Sequence, residues 1–140
     1  MKTVKYSLVE LRNPLRPQAA KKFYARSQSA GEVSIDDMAE VISYASSMTD
    51  TDIIGVLRAV IRQMQQHLAD GRIVNLGDFG SFQMILSSEG ADTKEEFTQA
   101  NIRKAKVQFR PGAMLNDMRK NLKYERVEPL PARKRASSEG

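Results

Sequence analysis

Two glycine-containing motifs most constrain how this chain can fold. Residues 77–82 (Gly-Asp-Phe-Gly-Ser-Phe) follow one apolar strand pattern and open the next, and their glycines permit the backbone angles of a tight turn. Residues 109–112 (Phe-Arg-Pro-Gly) close a later strand pattern, and proline at this point suits the first turn of a following helix. The motifs therefore predict a long hairpin between them and a helix after it.

Capping residues and hydrophobic periodicity predict the remaining elements. Ser34 and Thr49 each precede apolar residues at helical spacing, and the second of these stripes is wide enough for a dimer interface or for the centre of a monomeric core. The order indicates an α+β fold with two helices, a three-stranded antiparallel sheet with a long arm, and a final helix. An extra N-terminal strand is expected to extend that sheet or a dimer. The predicted elements are a strand over residues 3–12, a short element within 18–30, helices over 34–47 and 49–70, strands over 73–76, 82–87 and 102–109, and a helix over 112–123.

Charge is segregated along the chain. The net charge is +5, but residues 1–30 carry +6 and residues 101–140 carry +7, whereas residues 31–70 carry −5 and residues 71–100 carry −3. Such segregation suits a protein that meets a polyanion on one face. The alternative is a soluble protein with basic ends.

Several function classes find no support in the composition. The chain has no cysteine and one histidine, so thiolate sites, cysteine nucleophiles and histidine-cluster metal sites are excluded. Asp36, Asp37 and Glu40 cluster at helical spacing without a partner base, which indicates a solvated acidic face. No apolar run reaches the roughly 18–20 residues of a membrane span, and no signal-peptide pattern opens the chain. We therefore expect that the protein is not an enzyme, that it uses no cofactor or metal, and that it binds no membrane. We also expect a cytoplasmic location.

The element order, together with residues 70–82 and 109–115, resembles the bacterial histone-like family of HU and integration host factor. The resemblance covers residues 32–124, and the added residues 1–31 resemble those of a longer HU-like subgroup. It implies a nucleoid-associated homodimer whose two-helix base carries two β-ribbon arms that reach around DNA in the minor groove. The expected function is non-enzymatic binding, condensation and bending of duplex DNA with little base reading.

The resemblance and the charge pattern select the candidate DNA-binding residues. Basic residues of the returning arm strand would contact phosphates, the alternative being a solvated strand face. The turn that contains Gly80 would offer backbone N–H groups to a phosphate, the alternative being a hairpin turn without a ligand. The basic residues of the last helix would flank the DNA, and they also suit the helix C-terminus electrostatically. The full set is Arg103, Lys104, Lys106, Arg110, Lys94, Gly80, Ser81, Arg119, Lys120 and Lys123.

The predicted arm tip departs from the family pattern. The family tip carries Arg-Asn-Pro, with the proline as an intercalating wedge, but residues 89–100 contain neither arginine nor proline. Phe97 is the one residue there that could insert, and its alternative role is packing across the ribbon. The tip instead has four acids against Lys94: Glu89, Asp92, Glu95 and Glu96. An alternative function is therefore an HU-fold interaction or assembly module with weakened DNA binding, whose acidic tip docks a basic partner.

Three regions follow from these patterns. Residues 1–31 form an N-terminal extension, and residues 32–124 form an HU-like DNA-binding domain with its arm at about 84–106. Residues 125–140 are expected to be a disordered basic tail, because they combine prolines with a basic run at residues 133–135.

Overall fold

The computed structural model describes residues 2–129, which form two compact units. The terminal unit contains residues 2–32 and 121–129, and the central unit is Val33–Lys120. The strands and helices in chain order are β1 (Val4–Leu11), β2 (Lys22–Gln28), α1 (Ile35–Tyr44), α2 (Asp50–Ala69), β3 (Val74–Asn75), β4 (Gly80–Ser88), β5 (Ile102–Pro111), α3 (Ala113–Lys120) and β6 (Tyr124–Arg126). Short 3-10 turns occupy Gly77–Phe79 and Gln99–Asn101.

The terminal unit is a three-stranded sheet in the order β2-β1-β6. β1 and β2 are antiparallel, with Lys5 opposite Gln28 and Leu11 opposite Lys22. β6 lies parallel to β1, and hydrogen bonds of 2.8 Å join the Val4 amide to the Lys123 carbonyl and the Val127 amide to the Tyr6 carbonyl. β1 pairs with β2 and β6, so the first of the two alternatives for the N-terminal strand, extension of the arm-bearing sheet, is wrong, and extension of a dimer stays a prediction.

Two predicted boundaries change with this sheet. Residues 121–124, assigned to the HU-like domain, belong to the terminal unit. Residues 125 and 126, assigned to a disordered tail, lie in β6. A three-residue strand has too few positions to show alternation, so the sequence pattern could not reveal it. Residues 130–140 of the predicted tail lie outside the described residues.

Capping interactions set the starts of both long helices. The Asp37 amide donates to Ser34 Oγ at 3.1 Å and the Ser34 amide donates to Asp37 Oδ2 at 3.0 Å, which forms a reciprocal capping box before α1. Thr49 Oγ1 accepts from the Asp52 amide at 3.2 Å before α2. These caps confirm the predicted helix starts. α1 and α3 each end about three residues earlier than predicted.

The central sheet has the order β3-β4-β5 and is antiparallel, as predicted. Its two glycine motifs meet at one corner, where the Gly112 amide donates to the Phe79 carbonyl at 2.9 Å. Gly80 is buried with φ of 144°, and a Cβ there would lie 2.7 Å from the Phe109 ring. Phe109 also packs against Phe82, with ring centroids 4.7 Å apart. The strand-to-helix corner therefore has no room for a side chain at Gly80, which explains the glycine there.

Much apolar surface of the central unit is exposed in the single chain. Among the described residues, the buried apolar side chains are Ala39 and Ile53. On α2, Val56, Val60 and Ile61 are 54%, 45% and 48% exposed. An open concavity of about 480 Å³ adjoins this helix, and it is lined by Ile61, Met64, Gln65, Leu68, Ala69, Phe82, Met84 and Val107.

Candidate nucleic-acid interface

Three of the predicted phosphate-contacting residues share one face of β5. Alternation places Lys104, Lys106 and Arg110 on the same side of the strand, and all three are exposed. At about 3.4 Å per residue, the first and last lie roughly 20 Å apart along the strand. We call these three residues the β5 row.

No acid shares the face of the β5 row within the central sheet. The β4 residues opposite the row are Ser87, Ile85 and Ser81. Between them, Gln83 donates from Nε2 to Gln108 Oε1 at 2.9 Å. The face therefore presents positive charge without a compensating carboxylate on the paired strands, the electrostatic condition for attracting a polyanion.

Arg103 is separated from the row. It lies at a register irregularity, because Ser87 pairs with Lys104 and Ser88 pairs with Ile102. Its guanidinium forms an ion pair and hydrogen bond with Glu89 at the start of the hairpin loop. A phosphate would have to compete with this carboxylate, although exposed ion pairs of this kind are weak.

Lys94 lies in an acidic, exposed loop. The loop is closed by the Glu89 amide, which donates to the Asn101 carbonyl at 2.8 Å. The Phe97 amide donates to the Lys94 carbonyl at 3.3 Å, and the Phe97 side chain is 40% exposed. The nearby acids Glu95 and Glu96 are exposed, so the loop repels phosphates more than Lys94 alone can offset.

The turn at Gly80 favours the ligand-free alternative. The Gly80 amide donates to the Gly77 carbonyl, and the Gly80 carbonyl accepts from the Leu76 amide at 2.8 Å. The turn is thus closed by its own backbone, and the Gly80 amide is not available to a phosphate in this conformation. Ser81 follows within β4, opposite Arg110 and Asn75.

The three basic residues predicted for the final helix are divided between the units. Arg119 and Lys120 occupy the last turn of α3, where positive charge interacts favourably with the helix dipole. Lys123 lies beyond that helix in the terminal unit, so its placement on the helix was wrong. The helix ends at Lys120, and β6 begins at Tyr124.

The shifted pKa values have structural causes. Hydrogen bonds from the Ser34 backbone and side chain lower the pKa of Asp37. The pKa of Tyr44 is raised because its hydroxyl donates to Glu40 Oε1 at 3.1 Å, beside that carboxylate charge. Both shifts belong to the caps and turns of α1 and point to no acid–base pair. Within residues 2–129, no group of three or more His, Cys, Asp or Glu side chains could hold a metal ion, and no helix has the length and hydropathy to cross a bilayer.

The charge segregation seen in the sequence follows the two structural units. Among the described residues, the terminal unit has nine basic and four acidic residues, whereas the central unit has ten basic and twelve acidic. The candidate set contained one residue of the terminal unit, Lys123. The +6 charge of residues 1–30 was the signal that could have extended the set to this unit.

Comparison with solved structures shows a related fold. The chain is similar to the crystal structure of a Bacteroides vulgatus protein to which bacterial DNA binding has been attributed, with a TM-score of 0.62 and 12% sequence identity. The match covers 94% of this chain and 51% of that protein, so this chain spans about half of its length.

Comparison with curated proteins found no match. A family model does match residues 1–126, nearly the whole described chain, and it confirms the resemblance inferred from the glycine motifs. The chain therefore belongs to the HU-HIG family, described as an HU domain fused to wHTH, Ig or glycine-rich motifs.

Proposed function

We propose that this chain is a non-enzymatic, HU-type protein that binds duplex DNA with little sequence preference and acts in the bacterial nucleoid. The observation that carries the proposal is the β5 row, in which Lys104, Lys106 and Arg110 share an exposed, acid-free strand face. Family membership and the DNA binding attributed to the structurally similar Bacteroides vulgatus protein support it.

The chemistry of the row favours backbone contacts over base reading. Lysine and arginine side chains bind phosphate oxygens, which are the same at every position of a duplex. Each neutralised phosphate releases counterions and makes the logarithm of the affinity fall by about 0.9 per tenfold rise in salt. Steep salt dependence with weak sequence dependence is therefore the expected behaviour.

A homodimer is the form in which we expect the chain to bind. The exposed apolar residues of α2 and the concavity beside them offer a surface that a second copy would cover. The substitution Ile61→Asp would place a charge in that surface and should convert dimer to monomer in sedimentation equilibrium. A wild-type protein that is monomeric at micromolar concentration would contradict this part of the proposal.

The acidic loop between β4 and β5 supports a second candidate function. Its four carboxylates could dock a basic protein partner, with DNA binding weakened or absent.

DNA bending in the first candidate function also depends on this loop, because Phe97 is its one candidate for insertion between bases and is 40% exposed.

Salt-dependent DNA binding separates the two functions. Fluorescence anisotropy with a labelled random-sequence duplex should show binding at about 50 mM salt that weakens by orders of magnitude by about 200 mM. A fluorescence pair at the duplex ends reports bending in the same samples. Absence of binding at the lower salt concentration would overturn the DNA-binding function and favour the interaction module.

A further inference from the structure

The loop between β1 and β2 is an ordered, basic hairpin tip. Two successive turns build it: the Arg16 amide donates to the Asn13 carbonyl at 3.1 Å, and the Ala19 amide donates to the Arg16 carbonyl at 2.9 Å. Pro14 and Pro17 occupy the second position of these turns, the position that proline's fixed φ suits best. The Asn13 side chain adds a hydrogen bond of 2.9 Å from the Leu15 amide. The tip is therefore held by its backbone while its side chains remain exposed.

The tip carries four basic residues and no acid. Every residue from 12 to 22 is exposed, and Leu15 at the apex is 89% exposed. Within the described residues, none of the tip's basic side chains takes part in an ion pair. The basic residues are Arg12, Arg16, Lys21 and Lys22.

A small polar concavity lies at this tip. It has a volume of about 120 Å³, and its basic side chains come from two positions, Arg16 on the turn and Lys22 at the start of β2. Tyr24 and Asn13 also line it, which adds a phenol and an amide beside the two cations. Two cationic residues that line one concavity together with residues able to hydrogen-bond are a composition that suits a phosphate.

We propose that the tip of the β1–β2 hairpin is a second DNA-contacting surface, in which Arg16 and Lys22 bind backbone phosphates. The proposal rests on the function proposed above, because it takes duplex DNA as the partner, but it assigns contacts to a separate unit of the chain. The N-terminal extension would then bind DNA through contacts of its own, in addition to those of the β5 row.

Two physical arguments favour this assignment over a merely solvated tip. The described terminal unit is basic while the central unit is slightly acidic, so a polyanion gains more by also meeting the terminal unit. The prolines also limit the tip to few conformations before binding, which lowers the entropy lost when a phosphate orders it.

The test compares charge removal at the tip with equal charge removal elsewhere. The tip variant is Arg16→Gln with Lys22→Gln. The matched control is Arg58→Gln with Arg62→Gln, which removes two exposed cations from α2. A charge-retaining variant, Arg16→Lys with Lys22→Arg, tests whether charge rather than side-chain shape is required. Circular dichroism and thermal melting verify that all variants remain folded.

The measurement is the salt dependence of binding to the random-sequence duplex over the same range of salt concentration. We expect the slope of log affinity against log salt to fall by about 1.8 for each protomer in contact with DNA, because each tip variant loses two phosphate contacts. The control and the charge-retaining variant should keep the wild-type slope.

The possible outcomes distinguish the two proposals. A tip variant that keeps the wild-type slope, in a chain that binds DNA, overturns the tip assignment and leaves the proposed function in place. A wild-type chain that binds no DNA even at low salt overturns both. An equal loss of slope in the tip variant and the control would show that only total charge matters, and it too would overturn the assignment.

Discussion

The two hairpins of this chain have opposite charges at their tips. The β1–β2 tip, residues 12–22, has four basic residues and no acid, whereas residues 89–100 between β4 and β5 have four acids and one lysine. In the β1–β2 hairpin the tip itself is basic. In the β4–β5 hairpin the basic residues of the β5 row lie on the strand, and the tip is acidic. A protruding hairpin is thus not enough to identify a DNA-contacting tip, because the sign of its charge decides whether phosphates approach it.

The largest expected effect comes from neutralising the β5 row. For each protomer in contact with DNA, replacing Lys104, Lys106 and Arg110 by Gln should lower the affinity about 100-fold near physiological salt and reduce the salt slope by about 2.7. Anisotropy titrations at several salt concentrations measure both. An unchanged slope would show that the row is a solvated face, and the comparison between hairpins would then rest on the tips alone.

Combining the two sets of substitutions sharpens the comparison further. If the row and the β1–β2 tip bind different phosphates, adding Arg16→Gln and Lys22→Gln to the row variant should reduce the salt slope by about a further 1.8 for each protomer in contact with DNA. Additive losses indicate independent contacts. A combined loss no larger than that of the row variant would mean that both sets serve the same few phosphates.

The acidic tip can be tested by removing its charge. Replacing Glu95 and Glu96 by Gln should raise DNA affinity about fivefold at low salt, because two exposed repulsive interactions are lost, and the gain should disappear at high salt. The matched control replaces Asp50 and Asp52 by Asn and is expected to change affinity less. A gain equal to that of the control would show that the β4–β5 tip stays far from DNA.

The smallest expected effect is on the stability of the fold at acid pH. Because capping lowers the folded-state pKa of Asp37 below 3.8, its contribution to stability is complete above that unfolded-state value and is lost as the pH falls through the folded-state pKa. Asp37→Asn should therefore flatten the acid side of the stability profile measured by urea unfolding. An unchanged profile would show that the capping box contributes nothing to acid stability.

Local signals made much of the central unit predictable. Ser34 and Thr49 marked both helix starts because a capping side chain satisfies amides within three residues of itself. The alternation of side chains along a strand was enough to place Lys104, Lys106 and Arg110 on one face. These features depend on neighbours in sequence, which is why the sequence reveals them.

Other features depend on pairing between distant residues and could not be predicted in this way. β6 exists because Tyr124 pairs with Val4 across nearly the whole chain. The ion pair of Arg103 with Glu89 joins residues 14 positions apart, and only the pairing of β4 with β5 brings them together. The Arg-Asn-Pro triplet that the resemblance implies for an arm tip is visible in the sequence at residues 12–14, but only the pairing of β1 with β2 shows that these residues lie at a hairpin tip.

The parallel pairing of β1 with β6 makes the central unit an insertion between the two halves of the terminal sheet. Closing Val4 onto Lys123 in an unfolded chain would cost more entropy than forming the local hairpins, so the sheet is expected to assemble late. A folded central unit shortens the flexible path between the two ends. Damage to α1 or α2 should therefore also delay completion of the basic sheet, even though none of its own residues has changed.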